Sequence, residues 1–247
     1  MRIVLMYHDL FEKEKSESGF QTVGSMPYKL RVELFERHVK AVKGYTEEHK
    51  DIDVVFSFDD GGKSFYTFVA PILEKYGYRG LFFIATKYIN EDGFLTTAQI
   101  KDLSSRGHYI GSHSHSHALL NTLNKNELQQ EWRLSTGIIK DILGSCKIAS
   151  IPNGAGGKYV LHVAYEEGLR ILYTSDPIIK QKQYKDMSII GRFVVVDGMD
   201  EDDVLKILSS STCRMRLYLR WEVLQFGKRL LGGSYKRIKD YLLNKRK

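Results

Sequence analysis

The chain has 247 residues, 43% of them hydrophobic, with 37 Lys and Arg against 30 Asp and Glu for a net charge of +7. That content supports one sizeable core in a soluble protein. Two cysteines, Cys146 and Cys213, exclude a disulfide framework and fit a reducing compartment, and no apolar run suffices for a signal peptide or a membrane span, so a cytoplasmic location is expected.

In chain order, an apolar strand over 2–6 leads into Tyr7-His8-Asp9. The polar piece from Leu10 to Pro27 follows, with Gly19, Phe20 and Gly24 inside it. Long loops in compact domains are often lids or binding loops. This one either walls a groove beside His8 or is a surface insertion. A helix is expected over 29–43, then a strand over 53–58 that closes on Asp59-Asp60-Gly61-Gly62. The carboxyl end of a strand is where α/β folds place ligands. Adjacent carboxylates repel unless a cation is near, although Asp-Gly also marks an ordinary turn. A helix over 63–76 contains Pro71, which should bend it.

Further on, a strand over 80–84, a helix over 96–106 and a strand over 107–111 precede Gly111-Ser112-His113-Ser114-His115-Ser116-His117. On a strand all three histidines would share a face; at a helix start only His113 and His117 would. One carboxylate and two imidazoles can hold a divalent ion with open positions, leaving the second carboxylate as a base. Asn124 with Glu127 reads as a helix-start box for a helix over 124–143. Strands over 147–151, 170–174 and 189–196 alternate with helices over 157–167 and 200–210. Repeated strand-then-helix order favours a parallel sheet or barrel.

These motifs resemble the polysaccharide deacetylase family, carbohydrate esterase family 4. Ser57-Phe58-Asp59-Asp60-Gly61 matches its T-F-D-D-G motif, and His113-Ser114-His115-Ser116-His117 its H-[ST]-x-[ST]-H motif. The resemblance covers roughly residues 1–200 and implies a distorted (β/α) barrel. It implies Asp59 as catalytic base and Asp60, His113 and His117 as ligands of a divalent metal, with zinc the first choice. His115 falls at the variable position. The implied activity is removal of an N-acetyl group from a sugar or glycan.

Other family motifs depart. The third, R-x-P-x-G, stands here as Ser150-Ile151-Pro152-Asn153-Gly154, without the arginine that orients the base. The amide of Asn153 is implied in the oxyanion hole; the same residues also read as a plain turn. Arg192 either supplies the missing guanidinium or, as is usual for arginine, lies on the surface. The family's late acidic histidine has no counterpart after His162. Some branches carry an early Tyr-His, which makes His8 the candidate acid, with Asp176 as a possible orienting group. Otherwise His8 is a structural histidine bonded to Asp9. Two rival classes are a non-haem iron oxygenase and a non-catalytic descendant that binds glycan or membrane.

Residues 1–210 are expected to form the deacetylase-like domain and 211–247 a basic amphipathic helical extension. Residues 214–247 carry +9, against −2 for residues 1–213, with Trp221, Phe226 and several leucines interleaved. That pattern fits either a helix packed on the barrel or one that docks on an anionic membrane, including one bearing a lipid-linked glycan. A nucleic-acid partner is not expected, because no nucleic-acid motif is present.

Overall fold

The computed structural model describes residues 1–231. Strand β1 (Arg2–Tyr7) is followed by the short pair β2 (Leu10–Phe11) and β3 (Leu30–Arg31), then helix α1 (Val32–Glu48) and β4 (Asp53–Phe58). Helix α2 (Ala70–Lys75), β5 (Gly80–Ile84), α3 (Thr97–Ser105), β6 (Tyr109–Ser112), α4 (Lys125–Leu143), β7 (Ile148–Ser150), α5 (Lys158–Glu166) and β8 (Ile171–Tyr173) continue the alternation. The chain then forms β9 (Lys182–Tyr184), β10 (Met187–Ile190), β11 (Phe193–Val194), α6 (Glu201–Ser209) and α7 (Ser211–Leu231).

Nine strands make one sheet in the order β11-β1-β4-β5-β6-β7-β8-β10-β9. Its strand pairings among the described residues are parallel except β9 with β10. Strands buried on both faces read as unbroken apolar runs, as Ile3 to Tyr7 and Leu81 to Ile84 do. The result is the curled parallel sheet of a distorted (β/α) half-barrel. One core cluster joins β1, β4 and β5 to α1, α2 and α6 through Phe35, Phe56, Phe58, Phe82 and Val204. A second joins β7 and β8 to α4 and α5 through Trp132, Ala149, Val163 and Leu172. Each Val, Leu or Phe among them contributes roughly 1.5–3 kcal/mol by leaving water.

Local chemistry sets several boundaries. Asn124 and Glu127 cap α4 reciprocally, at 3.1 and 2.9 Å, and Gly144 ends it at φ 85°. Pro71 has no N–H to donate, and it lies in the first turn of α2 just after a π-helical turn over Phe65–Val69. The expected bend is therefore a change of helix type. Helix α1 starts three residues late because Leu30 and Arg31 pair with β2. The expected strand over 189–196 is cut at Gly191, where a Cβ would lie 2.3 Å from the Asp176 carbonyl. The antiparallel β9 was not anticipated; Lys185, at φ 53°, turns the chain between β9 and β10. Of the expected C-terminal extension, 232–247 lie outside the described residues.

Candidate metal centre and active site

Parallel register brings the strand ends to one rim. Tyr7 lies opposite Phe58, so His8 and Asp59 leave the sheet side by side. Ile84 lies opposite Ser112, and the ladder continues one step further as the His113 amide donates to the Ile84 carbonyl at 2.8 Å. Beyond β4 the chain reverses at Asp60 and Gly61, both at φ 89°. For a non-glycine residue such a conformation costs of order 1–3 kcal/mol, and it clusters at functional sites. Gly62 is required here: a Cβ would fall 1.9 Å from Oδ1 of Asp9.

The histidine run is neither strand nor helix. Ser114 and His117 adopt φ 61° and 60°, so the loop coils and sets the rings of His113 and His117 5.1 Å apart. Nδ1 of His115 pairs with the Thr86 hydroxyl at 3.0 Å. The loop is held by Glu131 of α4, whose carboxylate accepts the amides of His115 and Ser116 at 2.9 and 2.8 Å and the Ser116 hydroxyl at 2.6 Å. Glu131 was missed at sequence level. Its signal was an acid on the apolar face of α4, one turn from the buried Leu128 and Ser135.

Asp60, His113 and His117 each offer a ligand atom within 4.8 Å of the others. Oδ1 of Asp60 lies 3.4 Å from Nε2 of His113 and 3.2 Å from Nε2 of His117, yet it is buried without a well-formed hydrogen bond. A buried carboxylate oxygen with unused lone pairs, flanked by two imidazole nitrogens, fits a divalent cation. Nδ1 of His113 bonds the carbonyl and hydroxyl of Ser150, at 3.2 and 2.5 Å, which directs Nε2 toward Asp60. Burial opposes the charge on Asp60, but the two imidazoles outweigh it and hold the carboxyl well below its ordinary range. Burial likewise opposes charge on His117, and Asp60 overrides it, leaving the imidazole above its usual value.

Asp59 lies outside this trio and has a different partner. Arg192 is fully buried, and its guanidinium grips both Asp59 oxygens, Nη1 to Oδ1 at 2.6 Å and Nη2 to Oδ2 at 2.7 Å. The surface default for Arg192 is thereby overturned. Its Nε donates to the Thr174 carbonyl at 3.2 Å, and the group lies 5.3 Å from the centroid of the Phe83 ring. Ser150 adds a hydroxyl to Oδ1 of Asp59 at 3.1 Å. Burial would raise the Asp59 pKa; Arg192 and His113 outweigh it, so the carboxyl stays below the usual value.

The His8 ring lies 4.6 Å from that of Tyr28, tilted at 44°, and feels the charges of Asp60 and Asp59. Its Nδ1 is buried without a hydrogen-bond partner among the described residues, and burial lowers its pKa. The pairing with Asp9 does not form, because Asp9 accepts the hydroxyls of Ser18 and Ser64 at 2.6 and 2.8 Å. Asp176 does not orient His8 either: its carbonyl accepts the Arg192 amide at 2.9 Å, and its carboxylate takes Lys182 at 3.5 Å. Asn153 is exposed at φ 57° in the turn Pro152–Gly154, three residues beyond Ser150. His162 on α5 pairs with Glu166 of the same helix and with Tyr184 of β9. The 10–27 loop packs against the site: Phe20 lies 4.9 Å from the His117 ring, with Tyr88 and Phe94 at 4.8 and 5.1 Å.

A family model described as polysaccharide deacetylase matches residues 46–172. YxkH of Bacillus subtilis (strain 168) is 30% identical over 125 residues, which are 50% of this chain and 45% of that protein. Peptidoglycan-N-acetylmuramic acid deacetylase PdaA of the same organism is 27% identical over 141 residues, 56% of this chain and 52% of that one. The chain thus spans about half the length of the curated relatives it matches. Among solved structures, the Streptococcus pyogenes deacetylase PplD in complex with acetate superposes with a TM-score of 0.69 at 17% identity, covering 84% of this chain and 97% of that one. At such identity the likeness establishes the fold.

Proposed function

This chain belongs to the polysaccharide deacetylase family, and on that premise we propose that it removes an N-acetyl group from a sugar or glycan by metal-dependent amide hydrolysis. The observation that carries the reading is an ionised, arginine-gripped Asp59 beside a separate trio of metal-type donors. Asp60, His113 and His117 would hold the ion, and zinc suits one carboxylate with two imidazoles. When bound, such an ion supplies Lewis acidity toward the acetyl carbonyl and lowers the pKa of water. A base as weak as Asp59 needs that help, since proton transfer is efficient only between matched groups.

Asp59 takes the proton of the attacking water. Both its oxygens accept from Arg192, and Oδ1 also accepts the Ser150 hydroxyl, which leaves Oδ2 with the further lone pair for the water proton. Arg192 fixes the direction of that lone pair and keeps the carboxylate charged. The amide of Asn153 steadies the oxygen that gains charge. His8, in its protonated form, passes a proton to the departing amine. A non-catalytic descendant has no need of a base held ionised in a buried site.

The test is acetate release by zinc-loaded protein over a series of N-acetylated mono- and oligosaccharides, with and without oxygen. Turnover that needs no oxygen and that Asp59→Asn abolishes is expected. If metal-loaded protein releases acetate from no member of the series, the non-catalytic reading replaces this one.

A further inference from the structure

Helix α7 carries two apolar faces. One meets the protein: Leu217 packs against the core cluster, and Arg214 donates to the carbonyls of Ile207 and Leu208 at 2.7 and 3.0 Å. The other faces water. Met215, Leu219, Val223 and Phe226 are 57, 56, 71 and 62% exposed. Their spacing of four, four and three residues places them on one stripe of the helix. A helix that only packs on a barrel needs one apolar stripe, so the second requires a partner of its own.

The stripe has a cationic border. Arg216 and Arg220 follow Met215 and Leu219 by one residue, are exposed, and make no ion pair among the described residues. Two like charges at i and i+4 on one helix disfavour it. Glu222 is the sole acid between 214 and 231, and it accepts the Tyr218 hydroxyl at 2.6 Å. Over residues 214–247 the sequence carries +9, against −2 for the rest.

We propose that the outer face of α7 docks on an anionic lipid surface, with Met215, Leu219, Val223 and Phe226 entering the acyl boundary and Arg216 and Arg220 pairing with headgroup phosphates. A second copy of the chain fits poorly, because it would bring the same cations against these. Nucleic acid would answer the arginines but offers a duplex surface with nothing for four apolar side chains. Lipid answers both at once.

The experiment is co-sedimentation of the full-length protein with neutral and with anionic phosphatidylglycerol vesicles, at low and high salt, without any turnover readout. It therefore succeeds or fails independently of the deacetylase reading. Binding to anionic vesicles that weakens with salt is expected. Arg216→Gln with Arg220→Gln should weaken it about thirty-fold at low salt. Leu219→Gln with Phe226→Gln should weaken it further, with thermal unfolding unchanged because both sites are exposed. Equal recovery in the supernatant with all vesicles would overturn the proposal. So would a dimer in sedimentation equilibrium that the Leu219/Phe226 pair dissolves, or duplex DNA binding that the apolar substitutions leave intact.

Discussion

Replacing Arg192 by Met removes the charge opposite Asp59 while keeping most of the volume. In the native protein the guanidinium spans both Asp59 oxygens at 2.6 and 2.7 Å with no exposure to water. Removing one partner of a buried pair leaves an uncompensated charge and costs about 3–5 kcal/mol. For a chain of this size each kcal/mol moves the melting midpoint by about 2–4 °C, so a drop of roughly 6–20 °C is expected. Function should fall as well. Without Arg192, the burial that opposes the Asp59 charge is less offset and its pKa should rise, and a base no longer held charged and oriented should lose on the order of 10²–10⁴-fold of rate. Metal content should hold, because the Arg192 guanidinium bonds Thr174, Ser57 and Asp59 rather than Asp60, His113 or His117. Asp59→Asn alone strands the arginine and should also lower the midpoint. The double variant strands neither and should recover most of the loss, giving a coupling energy of several kcal/mol by double-mutant cycle. Calorimetry and acetate release on the four proteins decide it. A single Arg192→Met variant that melts within about 2 °C of the parent and keeps its turnover would show that the pair neither stabilises nor activates Asp59.

Asp60→Ala, His113→Ala and His117→Ala should each sharply lower the metal-to-protein ratio, and His115→Ala should not; the reverse pattern for His115 and His117 would put the ligand register in error. His8→Ala should keep its metal and lose turnover, and parent-like rates would remove His8 from the chemistry. Glu131→Ala frees the amides of His115 and Ser116, and metal affinity measured by chelator competition should drop about 10–100-fold, with Glu131→Gln restoring much of it. Asp9 is buried and its pKa is pushed up to about 6, first by burial. A raised carboxyl pKa favours the fold most below the ordinary 3.8 and loses that contribution as pH rises through 6. Asp9→Asn should therefore gain stability relative to the parent between pH 4.5 and 7, by up to about 3 kcal/mol. Urea midpoints that shift in parallel for the two proteins across that range would rule this out.

What the sequence determined by itself was local. Apolar runs marked β1, β4 and β5 to within a residue, because a strand buried on both faces needs continuous apolar character. Reciprocal capping marked the start of α4, because its donors and acceptors lie three residues apart. The acid pair and the histidine run stood out because metal chemistry demands those residue types. What only the tertiary structure decided was who faces whom. Asp59 and Arg192 are 133 residues apart, and nothing in either segment names the other. They meet because β1 carries β4 on one edge and β11 on the other, so the register of three parallel strands fixes their distance. The histidine loop was ambiguous for the same reason. Alternating serines suit a strand or a helix equally, and the carboxylate of Glu131, delivered from α4, selects a coil that is neither. Periodicity and turn chemistry act within a few residues, whereas a buried charge pair exists only once the sheet has closed around it.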